Sequence, residues 1–473
     1  MIKLTILHTN DIHGRVSQLT RIATLVRQIR AEVQAAGGYC LYVDAGDSED
    51  TTLLESSLTK GSAMAAILRG AGCDYAALGN AVPIRYGPLP VAELAKHFGR
   101  PLLCANFYDE NDKMVKGLEP YTVHNFGGFK LGIIGVTDPM RTYITVFHLH
   151  AKKPEDLLPG LIDDVKAQGA QIILLLSHLG EREDKQVAEK IQGVDLVIGG
   201  HSHSLFNPPL EINGTIVAQA GEYGKVLGRI DLEIDPVTGK IDHFESTHIP
   251  VEESILSDPA TEAVIASEQD RVKTLMTQVV GELQEPLDIA DDRECAAGNL
   301  LADALLDRVE DAEVAFVLCG QWETGLEAGT LTQGALYAAN RSAANPARVE
   351  VSGEQIEQFL RNGLDLEQAA RTPKFLRGRK MGLPHIAGMT LRYDPADRTT
   401  LEIHVNGKPL VKERKYIAAA TDVELSDVTG YLVVPDEEVQ YEVPTIMPEV
   451  LEAYIMKNSP LPKPQNGRIQ VKS

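Results

Sequence analysis

Five short motifs carry the residue types that bind metal ions: Asp11-Ile12-His13, Gly46-Asp47, Gly79-Asn80, Ser177-His178 and Gly199-Gly200-His201-Ser202-His203. Imidazole nitrogens and carboxylate oxygens in this mixture suit zinc, manganese, iron or a similar ion. Asp47 can bridge two ions, because a carboxylate has two oxygens. Two ions a few ångströms apart clamp the attacking and leaving oxygens of a phosphoryl displacement, and they lower the pKa of a bound water. Each motif by itself is common. A lone Asp-x-His is usually a turn with a satisfied histidine, and a lone Gly-Asp or Gly-Asn is usually turn chemistry. The ordered set is specific, and its structural context is its test.

Each motif directly follows an apolar run that predicts a strand. The predicted strands are Leu4–Leu7, Tyr39–Val43, Tyr75–Leu78, Leu131–Val136, Gln171–Leu176 and Leu196–Ile198. Amphipathic segments predict helices over Leu19–Ala36, Ser62–Gly70, Pro90–Phe98, Pro154–Gln168 and Asp184–Ile191. Strand–helix alternation at this spacing predicts an α/β core. In such folds the carboxyl ends of strands form the ligand crevice. Five strand ends would then deliver every motif to one place. A β-rich stretch runs from Thr215 to Ile249, and Ser257-Asp258-Pro259 is a good helix start. Residues 255–280 therefore read as a connecting helix between domains at 1–254 and 281–473, the second opening with a helix near Gly298 to Val309.

The chain has 473 residues, which at roughly 150 per domain predicts two or three domains. Its net charge of −22, from 45 basic and 67 acidic residues, argues against nucleic-acid binding through a basic face. A metal site reverses the sign locally, so small anionic substrates are compatible with that charge. The five cysteines, Cys40, Cys73, Cys104, Cys295 and Cys319, form no C-x-x-C pair. That argues for a reducing compartment rather than a disulfide framework. No basic-then-apolar leader precedes the first strand, and no apolar run reaches about 18 residues. The expectation is a cytoplasmic protein with no membrane association.

The run Leu4-Thr5-Ile6-Leu7-His8-Thr9-Asn10-Asp11-Ile12-His13-Gly14 resembles the opening of the 5'-nucleotidase and UDP-sugar hydrolase family. Gly46-Asp47, Gly79-Asn80, His178 and Gly200-His201-Ser202-His203 follow in that family's order and spacing. Ala297-Gly298-Asn299-Leu300-Leu301-Ala302-Asp303-Ala304 resembles the opening helix of the family's carboxy-terminal domain. Gly329-Thr330-Leu331-Thr332 and Val349-Glu350-Val351-Ser352-Gly353 resemble later landmarks. The resemblance implies an α/β protein of two parts. One is an amino-terminal calcineurin-like metallophosphoesterase domain, a layered β-sandwich flanked by helices. The other is a carboxy-terminal α/β substrate domain. It implies two divalent ions of the Mn, Zn or Fe class. One would be held by Asp11, His13, Asp47 and His203, the other by Asp47, Asn80, His178 and His201. It also implies nucleotide catabolism, with a small phosphate-containing substrate lying between the domains.

Several positions depart from that family. Its members normally read Gly-Asn-His-Glu, and the histidine assists catalysis. Here the run is Gly79-Asn80-Ala81-Val82-Pro83. General-acid help is typically worth 10²–10⁴-fold, or about 3–5 kcal/mol of barrier. Arg85 is a substitute that can stabilise negative charge, but its pKa above about 12 bars it from donating a proton. Tyr86 can donate but is poorly matched to neutral pH. Otherwise both read as solvated loop residues. His148 and His150 either share a strand face or are an unrelated surface pair. The arginine of the family's Gly-Gly-Gly-Ile-Arg run falls on Glu323, and its Pro-Phe-x-Asn run falls on Arg341-Ser342-Ala343-Ala344. Tyr431 aligns with the family's late stacking aromatic and is the candidate substrate-binding residue. Trp322 is either a substitute platform or a packing residue.

The leading reading is a divalent-metal-dependent hydrolase of phosphate esters or anhydrides. Without the histidine, it favours leaving groups of low pKa over simple alkyl phosphates. The alternative is a metal-binding pseudoenzyme or ligand sensor that has lost nucleotidase activity.

Overall fold

In the computed structural model, residues 1–49, 58–140, 143, 147, 149–342, 344–372, 380–394, 400–426, 429–435 and 438–472 are described. They form two units, Met1–Val272 and Lys273–Ser473. The first opens with β1 (Ile2–Thr9), α1 (Val16–Ala35), β2 (Tyr39–Asp44), α2 (Ser62–Gly70), β3 (Tyr75–Ala76), α3 (Ala81–Tyr86) and α4 (Val91–Phe98). It continues with β4 (Tyr121–Asn125), β5 (Lys130–Thr137), α5 (Pro154–Ala167), β6 (Ile172–His178), α6 (Glu181–Lys190) and β7 (Leu196–Gly199). Then follow β8 (Leu210–Ile212), β9 (Thr215–Ala218), β10 (Val226–Ile234), β11 (Ile241–Pro250) and α7 (Pro259–Met276).

Two large sheets form the core of the first unit. One has the order β11-β10-β1-β2-β3, the other β8-β9-β7-β6-β5-β4. β1, β2 and β3 are parallel, as are β5, β6, β7 and β9. Side chains of a strand alternate between faces, and the buried residues sort accordingly. Leu4 and Ile6 of β1, and Ile172, Leu174 and Leu176 of β6, share one core between the sheets. Ile173 and Leu175 of β6 turn the other way, onto Leu158, Ile162 and Val187 of α5 and α6. Leu7 and Tyr42 likewise turn out onto Leu19, Ile22 and Val26 of α1. The layering is helix, sheet, sheet, helix. A one-residue slip in β6 would exchange its two buried faces, so the register is strongly specified. Fully burying each of these aliphatic side chains contributes roughly 1.5–3 kcal/mol.

Three elements differ from expectation. The third strand is shorter, because the chain bends after Ala76 and Ala77 bridges Leu103 instead. α6 starts at Glu181, directly after Gly180 at φ +98°, with Glu181, Glu183 and Asp184 in its first turn. Acidic groups there are stabilised by the helix dipole. The first unit also extends past residue 254. Asp258 accepts two hydrogen bonds from Arg27, at 2.6 and 2.9 Å, and one from the Thr261 amide at 2.8 Å. These contacts dock the start of α7 onto α1.

The second unit is α/β. Its helix α8 (Ala296–Arg308) precedes the wholly buried strand β12 (Val314–Leu318). Later come β13 (Pro346–Ser352), α9 (Gly353–Gly363), β14 (Pro384–Ala387), β15 (Lys415–Thr421) and β16 (Val439–Tyr441). The sheet order is β14-β12-β15-β13-β16. A reciprocal cap starts α9: Ser352 Oγ accepts from the Gln355 amide at 3.2 Å, and the Ser352 amide donates to Gln355 Oε1 at 2.8 Å. Such a cap is worth about 1 kcal/mol. No helix of the described residues is long and apolar enough to cross a membrane.

Candidate metal centre

The carboxyl ends of β1, β2, β3, β6 and β7 meet at one edge of the two sheets. Asp11 and His13 follow β1, Asp47 follows β2, and Asn80 lies just beyond β3 as the N-cap of α3. His178 is the last residue of β6, and His201 and His203 follow β7. Asp11, His13, Asp47, His201 and His203 all adopt left-handed backbone, with φ of 51, 45, 53, 72 and 58°. That conformation is uncommon outside glycine and clusters at functional sites. Cross-loop bonds hold it in place. The Asp11 amide donates to Gly46 O at 2.9 Å, the His13 amide to Asp47 O at 3.0 Å, and the His201 amide to Asp11 Oδ2 at 2.9 Å. Gly79 passes so close that a Cβ there would lie 2.0 Å from Asp47 Oδ1.

Seven side chains converge in two groups. In the first, His203 Nε2 lies 3.3 Å and His13 Nε2 3.6 Å from Asp11 Oδ1, and the two nitrogens are 3.2 Å apart. In the second, Asn80 Oδ1 lies 2.9 Å from His178 Nε2 and 2.8 Å from His201 Nδ1. His178 Nε2 is also 3.3 Å from Asp47 Oδ2. Asp11, Asp47 and His178 offer ligand atoms within 4.8 Å of one another, which joins the two groups.

The other nitrogen of each imidazole faces an oxygen acceptor. His13 Nδ1 meets Glu49 O at 3.2 Å, His178 Nδ1 meets Ala45 O at 2.8 Å, and His203 Nδ1 meets Glu222 Oε2 at 2.9 Å. His201 is turned round, with Nε2 3.7 Å from Asp138 Oδ2. A carbonyl or carboxylate holds a hydrogen on the nitrogen it faces, which leaves a lone pair on the inward one. The carboxylates are oriented the same way. Asp11 Oδ2 accepts from Asn10 Nδ2 at 2.7 Å and from the His201 amide, while Asp47 Oδ1 accepts from the Ala81 amide at 2.9 Å. Asp11 Oδ1 is buried with no hydrogen-bond partner among the described residues.

Such an arrangement calls for positive charge. Burial pushes the Asp47 carboxyl up, but His178 outweighs it and holds the group at about 2. Burial likewise lowers His178, yet Asp47 raises it to about 9. Burial and the neighbouring His178 lower His201. Burial lowers His13, yet the neighbouring Asp11 raises it, so positive charge is favoured where Asp11, His13 and His203 converge. Nitrogen and oxygen donors in this mixture fit divalent ions of the zinc, manganese or iron class.

Sequence reasoning missed the outer contacts. Nothing near Glu222 or Asp138 marks them, because each reaches a histidine only through the fold. Other candidates lie elsewhere. Arg85 and Tyr86 are on α3, not in a loop, and Tyr86 is fully buried in the core, so it is no proton donor to a solvated site. Arg85 is half-buried, its guanidinium carbon 5.7 Å from the Tyr86 ring centre. His150 is exposed on the strand His150–Ala151, and His148 lies outside the described residues. Trp322 is buried, with its indole N–H donating to Ala297 O at 2.9 Å, so it packs rather than offers a platform. Tyr431 is 1% exposed, its ring 5.8 Å from Phe359 in the second unit's core. Glu323 is exposed, and Ser342 Oγ donates to Gln321 Oε1 at 2.7 Å. A cavity of about 290 Å³ in the first unit is lined by Asp138, Lys153, Leu179, Arg182 and Val187, among others.

Residues 4–205 match the calcineurin-like phosphoesterase family, and residues 278–434 match the 5'-nucleotidase C-terminal domain. The chain is 27% identical to the "uncharacterized metallophosphoesterase YunD" of Bacillus subtilis, covering 95% of this chain and 98% of that one. It is 26% identical to the 5'-nucleotidase of Bos taurus, covering 99% and 91%. Among solved structures, a 5'-nucleotidase precursor from Thermus thermophilus superposes with a TM-score of 0.53 at 22% identity, covering 99% of each chain. The NAD nucleotidase of Haemophilus influenzae gives 0.60 at 18% identity, covering 100% of each. Those two likenesses concern the fold.

Proposed function

Because the chain belongs to the 5'-nucleotidase family of calcineurin-like metallophosphoesterases, we propose that it hydrolyses phosphate esters or anhydrides at a pair of divalent ions. Asp11, His13, Asp47 and His203 would hold one ion, and Asp47, Asn80, His178 and His201 the other. The Ala81 amide donates to Asp47 Oδ1 and so helps to fix the carboxylate that both ions would share. Bound there, divalent ions supply an activated water and neutralise charge on the phosphoryl oxygens. The observation that carries this reading is Asp11 Oδ1, buried without a partner between two inward imidazole nitrogens.

Position 81 contributes a backbone N–H to Asp47 and only a methyl as side chain. The chain therefore offers no proton to a leaving group from that position. Arg85, half-buried on the same short helix, can donate no proton near neutral pH. Leaving groups that depart without protonation fit best, namely those of anhydrides and of diesters of acidic alcohols. The 290 Å³ cavity would seat the group carried by the phosphate. Asp138 lines that cavity and also faces His201 at 3.7 Å, which supports that reading. All five cysteines are free thiols, which supports a reducing, cytoplasmic location. The competing reading is a metal-binding protein without turnover, motivated by Ala81.

Reconstitution with manganese or zinc, followed by a panel of monoesters, diesters and anhydrides, tests both. Anhydrides and activated diesters are expected to turn over faster than alkyl monophosphates, and His201→Ala is expected to abolish turnover. Faster cleavage of alkyl monophosphates overturns the leaving-group argument. Activity surviving His201→Ala overturns the ligand assignment. Two bound ions with no turnover on any ester favour the competing reading.

A further inference from the structure

Behind the centre lies a buried carboxylate that the proposed chemistry does not use. Asp184, in the first turn of α6, is fully buried, and the side chains bonded to its carboxylate, Ser177 and Gln219, are neutral. Ser177 Oγ donates to its Oδ1 at 2.5 Å, and Gln219 Nε2 donates to its Oδ2 at 2.8 Å. Ser177 and Gln219 are also fully buried. Gln219 Oε1 in turn accepts from Ser202 Oγ at 2.9 Å, and Ser202 Oγ accepts from the Glu181 amide at 3.0 Å. The backbone leaves this carboxylate no slack, since a Cβ on Gly199 would lie 2.0 Å from Asp184 Oδ2.

The ends of this chain of bonds are informative. Ser177 immediately precedes His178, and Ser202 sits between His201 and His203. We propose that Asp184 is the positioning residue of the metal centre, fixing the end of β6 and the loop after β7 in register through Ser177, Gln219 and Ser202. An unpaired buried charge lowers stability, and burial raises this carboxyl to about 7. A neutral core would be more stable, so the carboxylate is explained by what it orients. Its two acceptor oxygens also set the polarity of the network. Gln219 must turn its NH₂ toward Asp184, which leaves its oxygen for the Ser202 hydroxyl.

That polarity supplies the test, and the inference rests on the metal-centre reading above. In Asp184→Asn a single carbonyl oxygen replaces two acceptors, so the bonds from Ser177 Oγ and Gln219 Nε2 cannot both be kept as they are. Gln219→Glu alone sets two carboxylates against each other. The double variant D184N/Q219E restores every donor–acceptor pair. The amide at position 184 then donates to the carboxylate at position 219, which still accepts from Ser202, and the network's charge is unchanged. Manganese binding to the two-unit protein is measured by calorimetry at pH 8, with unfolding of the metal-free protein as the folding control. Each single variant is expected to bind about 10–100-fold more weakly, and D184N/Q219E to return to within about threefold of the parent. Ser202→Ala, which buries no charge, is expected to weaken binding about tenfold and covers the case in which D184N does not fold. Parent-like binding by D184N or Ser202→Ala overturns the proposal, as does a double variant no tighter than the singles. A parent protein that binds no manganese instead overturns the metal-centre reading itself.

Discussion

Gly79→Ala should dismantle the metal centre without altering a single proposed ligand. The added Cβ would stand 2.0 Å from Asp47 Oδ1, 2.3 Å from the Asp47 amide nitrogen and 2.8 Å from its Cγ. Non-bonded heavy atoms settle at roughly 3.5–4.0 Å, so something must move by more than about 1 Å. The obstacle includes main chain, so a side-chain rotation does not relieve it. Asp47 is tied on the other side by the Ala81 amide and through its own carbonyl to His13. Shifting it carries those neighbours along. A displacement of about 1 Å near reacting groups typically lowers rate by about 10²-fold, and overpacking typically destabilises by about 1–3 kcal/mol. The assay has three readouts: metal stoichiometry after dialysis, turnover of an anhydride with manganese, and the thermal midpoint in chelator. Metal retention and turnover are expected to fall together by two orders of magnitude or more, with a midpoint lower by several degrees. Two ions held as tightly as in the parent protein would refute the packing argument.

Three further outcomes follow from other sites. Gly160→Ala, inside α5 with nothing within 4 Å of the new Cβ, should stabilise the first unit by about 0.5–1 kcal/mol in urea unfolding, and a loss of stability would contradict the open space seen there. Glu222→Gln weakens the acceptor behind His203 Nδ1, so metal affinity should fall about 10–100-fold with little change in the metal-free midpoint; unchanged affinity would remove Glu222 from the centre. In the second unit, burial raises Glu424 from 4.5 to about 7. The folded state therefore holds more protons between those values, and the stability this group contributes is full below pH 4.5 and lost by pH 7. The effect is up to about 3 kcal/mol. Glu424→Gln should flatten that slope when unfolding is followed by fluorescence of Trp322, the single tryptophan, and an unchanged slope would contradict the assignment.

The layered core was legible because its strands are parallel and buried on both faces, which writes them as continuous apolar runs such as Ile172 to Leu176. The seven convergent side chains were legible because each stands directly after such a run. What escaped notice depends on contacts far apart in the chain. Glu222 orients His203 across a loop, and Asp184 reaches Ser202 only by way of Gln219. Neither pairing leaves a periodic or spaced signal. Tyr431 and Trp322 were ambiguous for another reason. An aromatic residue reads alike whether it lines a pocket or fills a core, and only burial separates the two.

The left-handed backbone at Asp11, His13, Asp47, His201 and His203 sets the interests of folding and of chemistry against each other at the same five codons. Glycine would relax the main chain at each position, yet it would remove a donor atom. In a saturation library scored for abundance, glycine should therefore rank well at these five sites. Scored for catalysis, the same substitutions should rank among the worst. Positions where the two rankings invert would mark the centre in any homologue, with no metal or substrate in hand.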